Sequence, residues 1–248
     1  MRSGLAVCLA LLALAATTVA RAEDAESCPV SASLLSTESS LTKVADAVDR
    51  GHPLSILVVG SRSSSINGSE ADAYPARLQV ALKEKLPAAT VDVSAEILAR
   101  QTADEAARAL VKLMETKKPT LVIWQTGTVD AMRSIDPDDF HTAVDQGVNA
   151  LQNAGADVVL MNLQYSPRTE TMISGSPYMD NLRAVAQERD VPLFDRFAIM
   201  RQWNEQGDFD LFSTVHGPEL AKRVHDCLGR VLADFIIEAA HVRPEQHN

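Results

Sequence analysis

The chain has 248 residues, of which 46% are hydrophobic and 23% charged, and its formal net charge at pH 7 is −10. This composition is typical of a folded globular protein, and the length suits one α/β domain. The acidic charge argues against nucleic acid as a partner, because an acidic surface repels polyanions.

The first 22 residues have the pattern of a secretory signal peptide. Arg2 precedes an apolar run from Leu5 to Val19, and Ala20-Arg21-Ala22 matches an A-x-A cleavage site. The alternative, an N-terminal membrane anchor, needs about 20 apolar residues, and this run is shorter. Cleavage after Ala22 leaves 21 basic and 33 acidic residues, a net charge of −12. We therefore predict a periplasmic or secreted protein whose mature chain has no membrane span.

Helical and strand patterns alternate along the mature chain. A helix is predicted within 36–51, where Ser36 or Ser39 is the cap and Gly51 the end. Continuous apolar runs predict strands that are buried on both faces, and periodic stretches between them predict helices. The strands are 54–60, 90–95, 121–125, 157–163 and 191–194; the helices are 74–86, 102–117, 137–154, 177–189 and 218–240.

This alternation is typical of right-handed βαβ units with helices on both faces of a parallel sheet. We predict a three-layer α/β/α sandwich with a five-stranded parallel sheet. A single domain then spans 54–240, after an N-terminal segment of 23–53 and before a tail of 241–248.

Two cysteines, Cys28 and Cys227, remain after signal cleavage. In an oxidising compartment an even pair indicates a disulfide, which here joins the N-terminal segment to the last helix. The alternative is two unpaired buried thiols.

Ligands of such sheets bind beyond the carboxyl ends of the strands, here in the loops 60–72, 125–136 and 163–177. The first loop contains "GSRSSS", whose backbone N–H groups are suited to an anion or an oxyanion, although serine-rich turns also occur without any chemistry. The second has Gly127 at a sharp turn, followed by Asp130. Late in the chain, His216 precedes Pro218 and is either a surface residue or a catalytic base.

Together and in this order, "VVGSRSS", "WQTGTVDA" and "STVH" resemble the SGNH (GDSL-type) hydrolase family over most of the mature chain. The resemblance implies a flavodoxin-like fold and deacylation of glycan or lipid esters. His216 and Asp130 match the family motifs, whereas Arg62, Val129 and Ser213 stand where the family has its nucleophilic serine, its oxyanion asparagine and its triad acid.

Arg62 is the most serious departure, because a guanidinium has no lone pair with which to attack a carbonyl. A one-residue bulge that brings Ser63 beside His216 restores a nucleophile, with Ser61 and Ser64 as lesser candidates. His216 then acts without an acid three residues before it, unless Asp208 or Asp210 orients it.

Two functional hypotheses follow from these residues. In the first, Ser63 attacks an acyl carbonyl, His216 takes its proton, and backbone N–H groups near Ser63 and Gly127 hold the oxyanion. In the second, the scaffold has lost the reaction, and Ser61, Arg62, Gly127 and Asp130 line a site for an anionic ligand. A structural protein without a small ligand is a third alternative.

The sequence predicts neither a metal site nor a nucleotide cofactor. The other histidines show no ligand spacing with one another or with acids, and the chain contains neither a Walker-type loop nor a G-x-G-x-x-G motif.

Overall fold

A computed structural model of the protein describes residues 28–212 and 217–243. The predicted signal peptide, 1–22, lies outside the described residues, as do His216, Ser213 and the end of the predicted tail. No helix within the described ranges is long and apolar enough to cross a bilayer.

The sheet has the five predicted strands, all parallel, in the order β2-β1-β3-β4-β5. The strands are β1 (Leu54–Gly60), β2 (Val91–Ile97), β3 (Leu121–Gln125), β4 (Asp157–Met161) and β5 (Leu193–Phe194). The predicted fold class is therefore confirmed, and the differences are confined to strand ends.

Ten helices surround the sheet in the described part of the chain. They are α1 (Ala32–Leu35), α2 (Thr42–Asp49), α3 (Tyr74–Lys85), α4 (Ala103–Lys117), α5 (Thr128–Arg133), α6 (Pro137–Asn153), α7 (Pro167–Met172), α8 (Ser176–Glu188), α9 (Arg196–Gln206) and α10 (Gly217–Ala239). The sequence patterns did not predict α1, α5, α7 and α9. Three of these are shorter than two turns, and the apolar residues of α9 do not form a clear stripe.

Alternate residues of each strand enter two separate cores, as expected from the two-residue repeat of a strand. In β1, Ile56 and Val58 face a core built with α3, α9 and α10, whereas Leu57 and Val59 face a core built with α4, α6 and α8. Both faces of the sheet are thus covered, which explains why the strands are apolar without interruption.

The N-terminal segment is tied to the core with α9 and α10. Cys28 and Cys227 of α10 form a disulfide with a Cα–Cα distance of 5.5 Å. One residue on, the Pro29 carbonyl oxygen accepts a hydrogen bond from Trp203 Nε1 at 2.8 Å. In α2, Val44 is buried in the same core. The segment before β1 is therefore packed onto the domain and closes one side of it.

Replacing both Cys28 and Cys227 by alanine should lower the free energy of unfolding by about 2–5 kcal/mol, because the bond closes a loop of 199 residues. Urea unfolding of the mature chain measures the change. A reductant should destabilise the wild type and leave the double variant unaffected. Equal stability of the oxidised wild type and the double variant would contradict the prediction.

Candidate active site

A crevice opens at the carboxyl edge of the sheet between β1 and β3, where the strand order reverses. Gly60 ends β1, Gln125 ends β3, and the preceding residues Val59 and Trp124 are paired in the sheet. A 3-10 turn over Arg62–Ser64 follows β1, with Ser61 as its cap. The turn exposes the Arg62 side chain, half-buries Ser63 and buries Ser64.

The side-chain oxygen of Gln125 fixes this serine turn to the sheet. Gln125 Oε1 accepts hydrogen bonds from Ser61 N at 3.0 Å, Ser61 Oγ at 3.1 Å and Ser64 Oγ at 3.1 Å. Ser63 Oγ lies 3.5 Å from the same oxygen and 3.2 Å from Ser61 Oγ. Because the backbone N–H of Ser61 can only donate, these bonds also define which end of the amide is the oxygen.

Two glycines allow the close approach of the loops. A Cβ atom at Gly60 would overlap Ser64 Oγ, so a side chain there would displace the turn. Gly127 has a φ of 96°, which favours glycine, and a Cβ atom there would lie 2.8 Å from Leu163 Cδ1. Gly127 therefore supports the turn between β3 and α5.

Arg196, the first residue of α9, reaches the serine turn from the opposite side of the crevice. Its Nη1 donates to Ser63 Oγ at 3.2 Å, and its Nη2 donates to the Ser63 carbonyl oxygen at 2.9 Å and to Gln164 Oε1 at 3.0 Å. The Arg196 side chain is 0% exposed. Burial lowers its pKa to about 10, so Arg196 still carries its charge at pH 7.

Tyr74 and His225 surround this cation. The Arg196 guanidinium lies 5.6 Å from the centre of the Tyr74 ring, and Tyr74 OH donates to Ser64 Oγ at 3.0 Å. His225 Nδ1 accepts from Tyr74 N at 3.0 Å. Burial, with a smaller effect of Arg196, lowers the pKa of His225 to about 3, and burial raises the pKa of Tyr74. Both groups are therefore neutral at pH 7.

The structure brings Ser61, Ser63 and Ser64 together, but Asp130 has a different contact. Its Oδ1 accepts from Ala103 N, at the beginning of α4, at 2.9 Å. Asp130 is 1% exposed, and burial raises its pKa. None of its hydrogen bonds to described residues reaches the serine turn. Asp130 thus links α5 to α4.

Two cavities adjoin the site. A small one of about 20 Å³ is lined by Gly60, Ser61, Gln125 and Gly127, among others. A larger one of about 310 Å³, which we call the β4 pocket, follows the end of β4. The β4 pocket is lined by Leu163, Gln164, Glu170, Ile173, Met179, Phe197 and Arg201, together with small residues at 174–176. Gln164 connects this pocket to Arg196 and, through Arg196, to Ser63.

No group of three or more His, Cys, Asp or Glu side chains in the described ranges is placed to hold a metal ion.

The model of the non-GDSL lipase-like family matches residues 27–242. The chain belongs to the non-GDSL lipase-like family. The predicted resemblance to SGNH hydrolases is confirmed, since solved structures with the same fold include members of that family. A comparison with curated proteins gives no match.

Three solved structures illustrate the likeness of this non-GDSL lipase-like protein to known folds. The lipase/acylhydrolase from Enterococcus faecalis has 18% identity and a TM-score of 0.56, over 77% of this chain and 98% of its own. TesA has 22% identity and a TM-score of 0.53, over 71% and 98%. AlinE4, an SGNH-hydrolase family esterase, has 18% identity and a TM-score of 0.52, over 67% and 86%. At these identities the comparison shows the fold.

Sequence reasoning missed Gln125, Arg196 and Gln164. Gln125 is the polar end of the otherwise apolar strand "LVIWQ", which was a usable signal. Arg196 follows β5 by two residues, and the carboxyl ends of all strands of a parallel sheet meet at one edge. Including the loop after β5 among the candidate loops would have brought Arg196 into consideration.

Replacing Gln125 by leucine should lower the free energy of unfolding by about 1–3 kcal/mol, because the buried Ser61 N–H and two hydroxyls lose their acceptor. Urea unfolding measures the effect. Leucine at the exposed Gln187 of α8 is the matched control and should stay within about 0.5 kcal/mol of the wild type. Similar losses in the two variants would contradict the anchoring role of Gln125.

Proposed function

We propose that this protein is an extracytoplasmic SGNH-type ester hydrolase, in which Ser63 is the nucleophile and His216 the general base. The observation that carries the proposal is the position of the Ser63 hydroxyl. It is half-buried at the carboxyl edge of the sheet, next to Ser61 Oγ and to the charged Arg196 Nη1. Arg62, which takes the place of the family's serine in the motif, leaves this position open because its side chain faces solvent.

His216 lies outside the described residues, and its proposed role depends on its place in the chain. It directly precedes α10, whose first half packs beside the loop that leads from the serine turn to α3. Lys222 of α10 lies 3.6 Å from Asp72 Oδ2, and His225 bonds Tyr74 N. These contacts bring the first half of α10 beside that loop, and His216 directly precedes α10 in the sequence.

In the proposed reaction His216 takes the proton of Ser63 Oγ while this oxygen attacks the ester carbonyl. The intermediate collapses, the alcohol leaves with the proton from His216, and water then hydrolyses the acyl-enzyme by the same steps. The predicted leader and the Cys28–Cys227 disulfide support an extracytoplasmic location, since disulfides persist in oxidising compartments.

The mature chain should hydrolyse short p-nitrophenyl esters, and Ser63→Ala should lower kcat at least about 10³-fold because the nucleophile is lost. His216→Ala should cause a loss of similar size. Ser65→Ala is the matched control, because Ser65 Oγ, at the end of the same turn, bonds only the Arg62 carbonyl oxygen among the described residues. Its activity should stay within about twofold of the wild type. Release of p-nitrophenolate measures all four proteins.

Wild-type turnover that survives both Ser63→Ala and His216→Ala would rule out this mechanism. Absence of wild-type turnover would instead favour the second candidate function, binding of an anionic ligand. The observation behind that candidate is the exposed Arg62, which forms no ion pair with a carboxylate of the described chain. In that case acetate or phosphate should raise the melting temperature, and Arg62→Ala should abolish the shift.

We further propose that the acyl chain of the substrate occupies the β4 pocket. Its volume is near the lower end of the range for small-molecule sites. Leu163, Ile173, Met179 and Phe197 form its apolar side, and Glu170 and Arg201 lie on its polar side. Its polar residue Gln164 shares the Arg196 Nη2 atom with the carbonyl oxygen of Ser63. A chain bound here would therefore start beside the proposed nucleophile.

Ile173→Trp should fill the β4 pocket and lower kcat/KM for octanoyl esters about tenfold or more, while acetyl ester hydrolysis changes less than about twofold. A series of p-nitrophenyl esters from acetyl to octanoyl measures this selectivity. Tryptophan at the exposed Val111 of α4, outside the pocket, is the matched control and should leave the series unchanged. Equal losses for short and long esters would contradict this placement of the acyl chain.

A further inference from the structure

We infer that Arg196 is a catalytic residue, whose guanidinium stabilises the negative charge on Ser63 Oγ as this oxygen loses its proton and attacks. This inference depends on the proposed function, because it assigns a role in activating the same nucleophile. It concerns the residue that reaches the serine turn from α9, which the motif comparison did not indicate.

Arg196 is a buried cation that has no counter-ion among the described residues. Its hydrogen-bond acceptors are Ser63 Oγ, the Ser63 carbonyl oxygen and Gln164 Oε1, all of them neutral. No carboxylate in residues 28–212 or 217–243 lies within 4 Å of its guanidinium, and its buried Nε has no hydrogen-bond partner among these residues. A buried charge in this state destabilises the folded protein, so Arg196 is not explained as a stabilising ion pair.

The position of Arg196 in the fold also disfavours a positive charge. As the first residue of α9 it lies at the positive end of the helix dipole, where a cation is disfavoured. The Tyr74 ring, 5.6 Å from the guanidinium, offers only the weaker attraction of a cation–π contact. Neither the helix dipole nor the ring therefore accounts for the charge. Buried ionisable groups with perturbed pKa values, as Arg196 has, are concentrated at functional sites.

Arg196 contacts Ser63 at two atoms. Arg196 holds both the carbonyl oxygen and the hydroxyl oxygen of this residue, so that the hydroxyl is fixed in orientation with a full positive charge 3.2 Å away. A preformed charge in a buried site stabilises a developing oxyanion without reorganisation. Arg196 keeps all its protons throughout: the Ser63 proton passes to His216, and the Ser63 lone pair forms the new bond to the carbonyl carbon.

The other titratable groups around Arg196 and Ser63 do not change their charge in the pH range of the test. Tyr74 of α3 and His225 of α10 stay neutral between about pH 5 and 9, because burial moves their pKa values away from this range in opposite directions. Asp195, the cap residue that precedes α9, accepts hydrogen bonds from Ala198 N and Asn162 Nδ2. Arg62 is exposed to solvent. Changes of Ser63 reactivity in this window therefore report on Ser63 and its base.

The test measures the rate at which diethyl p-nitrophenyl phosphate modifies Ser63 in the mature chain between pH 5 and 9. Release of p-nitrophenolate gives the rate, and the mass of the labelled peptide identifies the serine. Arg196→Gln should lower the rate about 10²- to 10³-fold and move its pH dependence to higher pH. Arg196→Lys, which keeps the charge, should recover part of the loss. Arg108→Gln, a change of an exposed arginine of α4 outside both cavities, is the matched control and should change the rate less than about twofold.

A second variant separates charge from structure in case Arg196→Gln does not fold. Gln164→Glu places a carboxylate where Gln164 Oε1 now lies, 3.0 Å from Arg196 Nη2, and keeps every hydrogen bond of Arg196. The paired charge should then stabilise Ser63 less, and the rate should fall about tenfold. Thermal unfolding confirms that each variant is folded.

Two results would overturn the inference. Labelling of Gln164→Glu and Arg196→Gln at the wild-type rate with an unchanged pH profile would show that Arg196 only braces the loop. Complete absence of Ser63 labelling in the wild type would overturn the proposed function, and the role of Arg196 with it. If the wild type is labelled and the variants react at the same rate, only the role of Arg196 is overturned.

Discussion

The site depends on the hydrogen bonds that Gln125 Oε1 accepts from the serine turn. The oxygen stands at the end of β3, and Ser61 and Ser64 donate to it from the loop after β1. Neighbouring strands of a parallel sheet therefore hold the two loops in register, and Gly60 allows the turn to fold back over its own strand. With Ser61 and Ser64 fixed, Ser63 is half-buried against Arg196, and Arg62 is exposed to solvent.

The first residue of α9 supplies a buried charge beside the serine turn. Arg196 is buried, lies at a helix N-terminus and contacts neutral oxygens, two of which belong to Ser63. The helices on this face, α3 and α10, contribute Tyr74 and His225, whose burial keeps them neutral around the guanidinium. The charge is thus preorganised at one side of the serine turn, where the described residues that contact it are neutral oxygens and an aromatic ring.

Two carboxylates away from the serine turn stabilise the first turns of helices. Asp157, at the start of β4, accepts from Lys43 N and Val44 N and caps α2, while Asp130 performs a similar role for α4. Asp130 matches the family motif, and its contact in the structure is to a helix terminus. Asp130 therefore has a structural role: it anchors the loop that also carries Gly127.

The sequence by itself determined the layer architecture. Uninterrupted apolar strands alternating with amphipathic helices require a parallel sheet covered on both faces, and motif order indicated the resemblance to SGNH hydrolases, whose fold the chain shares. It also identified the serine turn and the cysteine pair. Only the tertiary structure decided that Ser64 is buried, that Ser63 is half-buried and that Arg196 lies against Ser63. The reason is physical: side-chain direction in a one-turn 3-10 segment, and contacts between residues 133 positions apart, depend on packing between elements and leave no local periodicity in the sequence.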